Sequence, residues 1–351
     1  MKLSDRGKPS TKRLKLPSRK AIHAGERAVH GAPLLGDRSI PYVIRPRAEG
    51  IDLVEWAGEN RDFVEQQLFE RRALLFRGFG TDSVEQFERF VDNTSSGERL
   101  EYRDRSTPRT TEGHRIYTST VHPPDQEILL HNEGTYWTRW AEKLYFCCLE
   151  AAPRGGATPI ADVRRVYERV PEPIRDKFAE LGMMLVRNYN DGFGLPWQDV
   201  YQTEDKEEVE AYCREHQIEF AWKDGDRLRT WQARPAIRRH PRSREPVWFN
   251  HAAFFHHTSL PPTMLELLMK ELGEDGLPYD TRYGDGTPIE AAAVAVIRDA
   301  YTAERVVFPW EQGDIMLLDN MSVAHGREPY EGPRRVIVAM TDAVSEEASR
   351  L

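Results

Sequence analysis

Three side chains carry the chemical argument: His131 and Glu133 in Leu129-Leu130-His131-Asn132-Glu133, and His325 in Ser322-Val323-Ala324-His325-Gly326-Arg327. In an extended segment, residues two apart project to the same side. His131 and Glu133 can therefore offer an imidazole nitrogen and a carboxylate oxygen to one ion. The third ligand must come from elsewhere. The best candidate is His325, which follows the apolar run 314–320 (DIMLLDN) and could be carried by it to the rim of a barrel. Two imidazoles and one carboxylate on one face of a metal leave its other face open, which suits an Fe(II) that must bind a cosubstrate and O2. A His-x-Glu tripeptide alone arises readily by chance, as a surface or core contact. The signal strengthens with three downstream pieces: Gly155-Gly156-Ala157-Thr158, His325 itself, and Arg334-Arg335 at the start of a strand-like run.

Each piece has a chemical task. A 2-oxo acid that chelates a metal through its keto oxygen and one carboxylate oxygen leaves its far carboxylate in need of a cation. The planar fork of an arginine serves best. In RRVIVAM (334–340), Arg335, Ile337 and Ala339 share one face, and Arg334, Val336, Val338 and Met340 the other. The expectation is that Arg335 points inward as the clamp and Arg334 points away, with a one-residue bulge exchanging them. A solvated strand edge is the plain alternative for such a pair. Thr158 can add a hydroxyl to the same carboxylate.

The elements that must position these residues are legible in part. Tyr42 to Arg45 reads as a short strand, 60–71 as a helix, and 73–78 (ALLFRG) as a strand ended by glycine. Ser83 can cap a helix over 84–92. Strands are expected at 115–120 and 143–149, and helices at 163–169, 171–181 and 206–216. The region 220–260 holds hairpin-like pieces around a polar turn at Pro241–Arg244, followed by helices near 262–272 and 288–302. Three strand-like runs close the chain: RVVFPW, DIMLLDN and RRVIVAM. This order fits a sheet or barrel decorated by helices better than an alternating parallel βαβ sheet.

Bulk properties exclude other classes. The 351 residues are 39% apolar and include 8 Trp, 13 Tyr and 14 Phe, enough for a sizeable, aromatic-rich core. A net charge of −8 argues against broad nucleic-acid or anionic-membrane binding. Residues 1–34 are expected to be a flexible basic tail: the first twenty hold eight Lys or Arg against one Asp. The remainder, 35–351, reads as one domain with a mixed insertion at about 183–285. No apolar stretch reaches the ~18 residues of a membrane span, and no secretory signal is read. Three cysteines make neither a disulfide framework nor a CxxC site, so a cytoplasmic setting is expected.

Taken together, ALLFRGF (73–79), STPRT (106–110), IYTST (116–120), the segment LLHNEGTYWTRWAEKLYFCCLEAAPRGGATPIAD (129–162), PVWFN (246–250) and HGREPYEGPRRVIVAM (325–340) resemble the TauD/TfdA family of Fe(II)/2-oxoglutarate dioxygenases. Within that family the likeness is to the SyrP-like branch, and it runs from about residue 35 to about 343. The resemblance implies an α+β, mainly β fold: a distorted double-stranded β-helix (jelly-roll) core flanked by helices. It also implies His131, Glu133 and His325 on the iron, with Thr158 and Arg335 on the 2-oxoglutarate cosubstrate. Related halogenases replace the carboxylate ligand with a small residue to admit halide, and Glu133 here argues against that outcome.

For the substrate the sequence offers candidates, each with a structural alternative. Arg109 could hold a carboxylate, Tyr136 and Trp137 could wall a pocket, and Asn250 could bond a polar group. His251, His256 and His257 are expected to be structural, because no carboxylate lies at ligand spacing. The activity expected is hydroxylation of an unactivated C–H bond of an amino acid, free or tethered to a carrier protein, in a natural-product pathway. The competing readings are an oxygenase of another small carboxylate or sulfonate, a non-catalytic jelly-roll that binds a metal or ligand, and a zinc hydrolase. A cosubstrate clamp argues against the second, and the lack of a dedicated general base against the third.

Overall fold

The computed structural model describes residues 28–36, 38–101, 104, 111–118 and 122–350. In chain order, strands β1 (Val29–Pro33) and β2 (Tyr42–Pro46) lead through helices α1 (Leu53–Glu59) and α2 (Arg61–Arg71) to β3 (Ala73–Phe76) and α3 (Val84–Thr94). Next come β4 (Thr111–Gly113), β5 (Ile116–Thr118), β6 (Ile128–His131), β7 (Arg139–Glu150), β8 (Arg154–Gly155) and β9 (Ile160–Asp162). Helices α4 (Val163–Arg169) and α5 (Glu172–Leu181) follow. The chain then runs through β10 (Met183–Tyr189), α6 (Trp197–Tyr201), α7 (Lys206–Glu215), β11 (Glu219–Trp222) and β12 (Leu228–Arg234). A hairpin of β13 (Ile237–Arg239) and β14 (Pro246–Trp248) leads to α8 (Pro262–Leu272) and β15 (Tyr279–Tyr283). Finally α9 (Ala291–Glu304), β16 (Ile315–Asp319), β17 (Val323–Arg327), β18 (Tyr330–Glu331) and β19 (Arg335–Ser345) close the fold.

The major sheet has the order β1-β2-β3-β16-β7-β19-β5-β4. Among the described residues, only β2 and β3 pair in parallel. Its central strands β7 and β19 are the longest in the sheet. β7 pairs β19 from Arg139↔Ser345 to Glu150↔Arg335, and β16 on its other side. A small sheet, β6-β17-β9, carries the candidate metal ligands His131 and His325. This is the expected jelly-roll with flanking helices.

Both faces of the major sheet are covered. Leu144, Phe146, Val336, Val338 and Met340 join the interior core with Ile160, Val323 and Ala324 of the small sheet. Their neighbours Tyr145, Cys147, Ile337 and Ala339 pack outward against Trp56, Phe87 and Phe90 of the N-terminal helices. Ser83 caps α3 by accepting from the Gln86 N–H at 3.2 Å. The ion pair of Arg77 with Asp314 is buried at the β3–β16 junction, with Nη2 to Oδ2 at 2.6 Å and Nε to Oδ1 at 2.9 Å. It ties the sheet together where β16 begins.

Residues 183–283 build a second antiparallel sheet, β11-β12-β10-β15, whose Met183, Leu185 and Tyr283 share the interior core. Two expectations need correction. Residues 28–34 are not tail, because β1 pairs β2 over its whole length, with Ala28 and Val29 buried; residues 1–27 lie outside the described residues. RVVFPW is not a strand either, and only Val306 forms a bridge, to Ile160. Pro309 has no N–H to give to a ladder.

Candidate active site

His131 ends β6 directly opposite His325 on β17 in the antiparallel register, so both imidazoles stand on one face, their ring centroids 4.5 Å apart. Glu133 lies just beyond β6. One ligand atom from each of His131, Glu133 and His325 falls within 4.8 Å of the others. Among the described residues no fourth His, Cys, Asp or Glu joins this group. The donor set of two nitrogens and one oxygen fits a ferrous ion with coordination positions left open. The Nδ1 of His131 lies 2.8 Å from the Leu129 carbonyl. A donor hydrogen there fixes the tautomer and leaves Nε2 for a metal.

Two glycines allow this close approach. Gly134, at φ +69°, follows Glu133, and a Cβ on it would come within 2.3 Å of the Trp137 ring. Gly326 follows His325, and a Cβ there would meet the Ile128 carbonyl oxygen at 2.6 Å. Both backbones must pass too near a neighbour for a side chain. On the other side Phe146 of β7 reaches across the interior, its ring centroid 5.0 Å from that of His325.

The cosubstrate candidates come from two other segments, Thr158 from the link between β8 and β9 and Arg334 from just before β19. Thr158, buried, accepts from the Trp310 Nε1–H at 3.0 Å, and Arg334 Nη2 reaches the same oxygen at 3.4 Å. Arg334 Nε donates to the Gly156 carbonyl at 2.9 Å. Burial and then the nearby Arg327 push the Arg334 guanidinium down to about 10, so it keeps its charge at neutral pH. Arg335 does the opposite. Its side chain is 47% exposed and pairs with Glu112 at 2.6 Å. The expected orientation is therefore reversed: Arg334 is in phase with interior Val336 and Val338, and Arg335 with Ile337 and Ala339 on the helix-covered face.

Around the metal residues, the loop after β14 supplies a wall that the sequence did not reveal. The rings of Phe254 and His251 stand 4.7 and 5.6 Å from His131. His251 is hydrogen-bonded to Thr135 and stacked on Phe255, and burial followed by the proximity of His131 holds its pKa well below the usual value. Tyr136 packs 5.4 Å from His251, and its hydroxyl donates to the Asp104 carbonyl. Asp104 in turn forms a buried 2.6 Å ion pair with Arg187.

Trp137 faces elsewhere. With Arg99, Arg139, Tyr212 and His216 it lines a cavity of about 570 Å³ that includes none of the three metal candidates. The Asn250 amide is engaged at both ends by main chain, donating to the Ala236 carbonyl and accepting from the Ala252 N–H, each at 2.9 Å. It shapes the loop rather than presenting itself to a ligand. Arg109 lies outside the described residues. The fold does bring a carboxylate to His256 and His257, namely Asp280, which the chain places far from them. Arg282 and Arg298 border that cluster, and His256 is engaged by Thr258 and a main-chain group of Ile289, so it reads as a hydrogen-bonded corner.

Comparison with known proteins identifies the family. The family described as taurine catabolism dioxygenase TauD, TfdA family matches residues 37–341 in one stretch. The chain belongs to the TauD/TfdA family. It is a 2-oxoglutarate-dependent dioxygenase, and its cofactors are Fe(II), 2-oxoglutarate and O2. Among relatives of this TauD/TfdA chain, dapdiamide synthesis protein DdaC of Enterobacter agglomerans is 41% identical over 281 residues, 80% of this chain and 85% of that one. A clavaminate synthase-like protein of Arabidopsis thaliana is 30% identical over 327 residues, 86% and 94% of the two chains. PvcB from Pseudomonas aeruginosa shares the fold with a TM-score of 0.56 at 14% identity, over 93% of this chain and 95% of the other. A taurine dioxygenase from Burkholderia xenovorans does so at 0.51 and 16%, over 92% of each. No helix among the described residues is long and apolar enough to cross a membrane.

Proposed function

We propose that His131, Glu133 and His325 hold the ferrous ion and that Thr158 and Arg334 anchor the far carboxylate of 2-oxoglutarate. The convergence of the three ligand atoms within 4.8 Å is the observation that carries this reading. Bound there with 2-oxoglutarate and O2, iron supplies the oxidising power to hydroxylate an unactivated C–H bond, with CO2 and succinate released. The chain's own part is positional. The indole N–H of Trp310 can only donate, so the Thr158 oxygen accepts from it. The hydroxyl hydrogen of Thr158 is then available to a cosubstrate carboxylate beside the Arg334 fork. Phe146, Phe254, His251 and Tyr136 shield the centre from bulk water.

The substrate we propose is an amino acid, free or tethered to a carrier protein, modified in a biosynthetic pathway. What supports this is the 41% identity to a protein named for dapdiamide synthesis, together with the aromatic and imidazole wall beside His131. The test is a screen of amino acids, free and as carrier-bound thioesters, for substrate-stimulated succinate release. Stimulation confined to taurine-like sulfonates or aryloxyacids would overturn the assignment of substrate class and leave the metal assignment standing.

A further inference from the structure

Glu133 differs from the two imidazoles in how it is held. His131 and His325 stand on paired strands, whereas Glu133 lies past the end of β6, where the ladder no longer fixes its backbone. One residue makes up for this. Asn320, fully buried in the link between β16 and β17, accepts from the Glu133 N–H through Oδ1 at 2.8 Å. Through Nδ2 it donates to the Glu133 carbonyl at 2.9 Å and to the Ala141 carbonyl at 2.8 Å. Its main chain joins in as well: the carbonyl accepts from Asn132 Nδ2 at 2.6 Å, and the N–H donates to Glu142 O at 2.7 Å.

We propose that Asn320 is the positioning residue of the metal centre, setting the place of the Glu133 carboxylate relative to the two imidazoles. This rests on the ligand assignment above. The side-chain amide grips both main-chain groups of Glu133 as a neighbouring strand would. Asn320 also belongs to the link that leads into β17, and so to His325, and it is anchored to the start of β7. One side chain thus locks together the segment carrying the carboxylate, the segment leading to the distal imidazole and the central strand of the major sheet. A metal site tolerates errors of only about 0.5 Å in ligand placement. Loss of this clasp therefore acts on metal affinity before it acts on the fold.

The experiment measures Co(II) dissociation constants of the full chain by anaerobic equilibrium dialysis, with the melting of the metal-free protein recorded in parallel. Asn320→Asp keeps the size and the acceptor for the Glu133 N–H but sets an oxygen against two carbonyls. Its affinity is expected to fall about 10–100-fold, the usual effect of losing a residue that orients a ligand. Arg77→Met, a buried lesion remote from the ligands, is expected to lower the melting temperature and leave Co(II) affinity unchanged. Should Asn320→Asp fail to fold, Asn132→Ala breaks only the reciprocal bond and should weaken binding several-fold. Wild-type affinity in Asn320→Asp, or in Asn132→Ala where that variant decides, overturns the role of Asn320. An equal loss of affinity in Arg77→Met also overturns it, as mere destabilisation. Unchanged affinity in Glu133→Ala would sink the ligand assignment itself, which keeps the two failures apart.

Discussion

At the scale of single residues, the cosubstrate end gives the sharpest contrast, because two adjacent arginines face opposite ways. Arg334 shares Thr158 with Trp310, while Arg335 meets Glu112 at the surface. Arg334→Ala should raise the KM for 2-oxoglutarate by about 10- to 100-fold, the worth of a charge-assisted hydrogen bond of ~1.5–3 kcal/mol. Arg335→Ala should leave it within about twofold, since an exposed pair contributes little. Succinate release against cosubstrate concentration checks both, and the reverse pattern would return the clamp to Arg335. Trp310→Phe keeps the ring and removes the donor. It should raise the same KM by about fivefold, the effect of a neutral hydrogen bond, with kcat at saturation nearly unchanged.

Among the elements, β19 shows why a strand and its alternation were legible while its inward face was not. Val336 and Val338 face the interior core while Ile337 and Ala339 face the N-terminal helices, so both phases of the strand are apolar. Alternation identifies a core face only when the other face is wet. The candidate metal motif stood out because its residues carry rare chemistry, although Glu133 lies beyond the strand that the His-x-Glu spacing implied, and Gly326 after His325 reflects the crowding of β6 against β17. The His251–Phe254 wall was not. It is built from a loop whose approach to His131 depends on how 183–283 packs on the barrel. The β3–β16 junction yields an element-scale prediction. Arg77→Met strands the Asp314 carboxylate in the interior and should cost about 3–5 kcal/mol, read from urea denaturation.

For the molecule as a whole, stability is tied to pH and to metal. Burial, then the neighbouring His257, holds His256 at about 4, below its ordinary value. The folded state thus favours neutral His256. That contribution is fully present above about pH 6.5 and is lost as pH falls through about 4. His256→Gln should show a shallower fall in urea midpoint between pH 7 and pH 4.5 than the wild type. The central claim is that three residues from two strands and a turn hold one ferrous ion with room for a chelating 2-oxo acid. It is tested most directly by anaerobic titration of the protein with Fe(II) in the presence of 2-oxoglutarate, followed by visible absorption. The account predicts a weak charge-transfer band that saturates at one iron per chain and is absent from Glu133→Ala and His325→Ala. A band that persists in either variant, or its absence from the wild type, would contradict it.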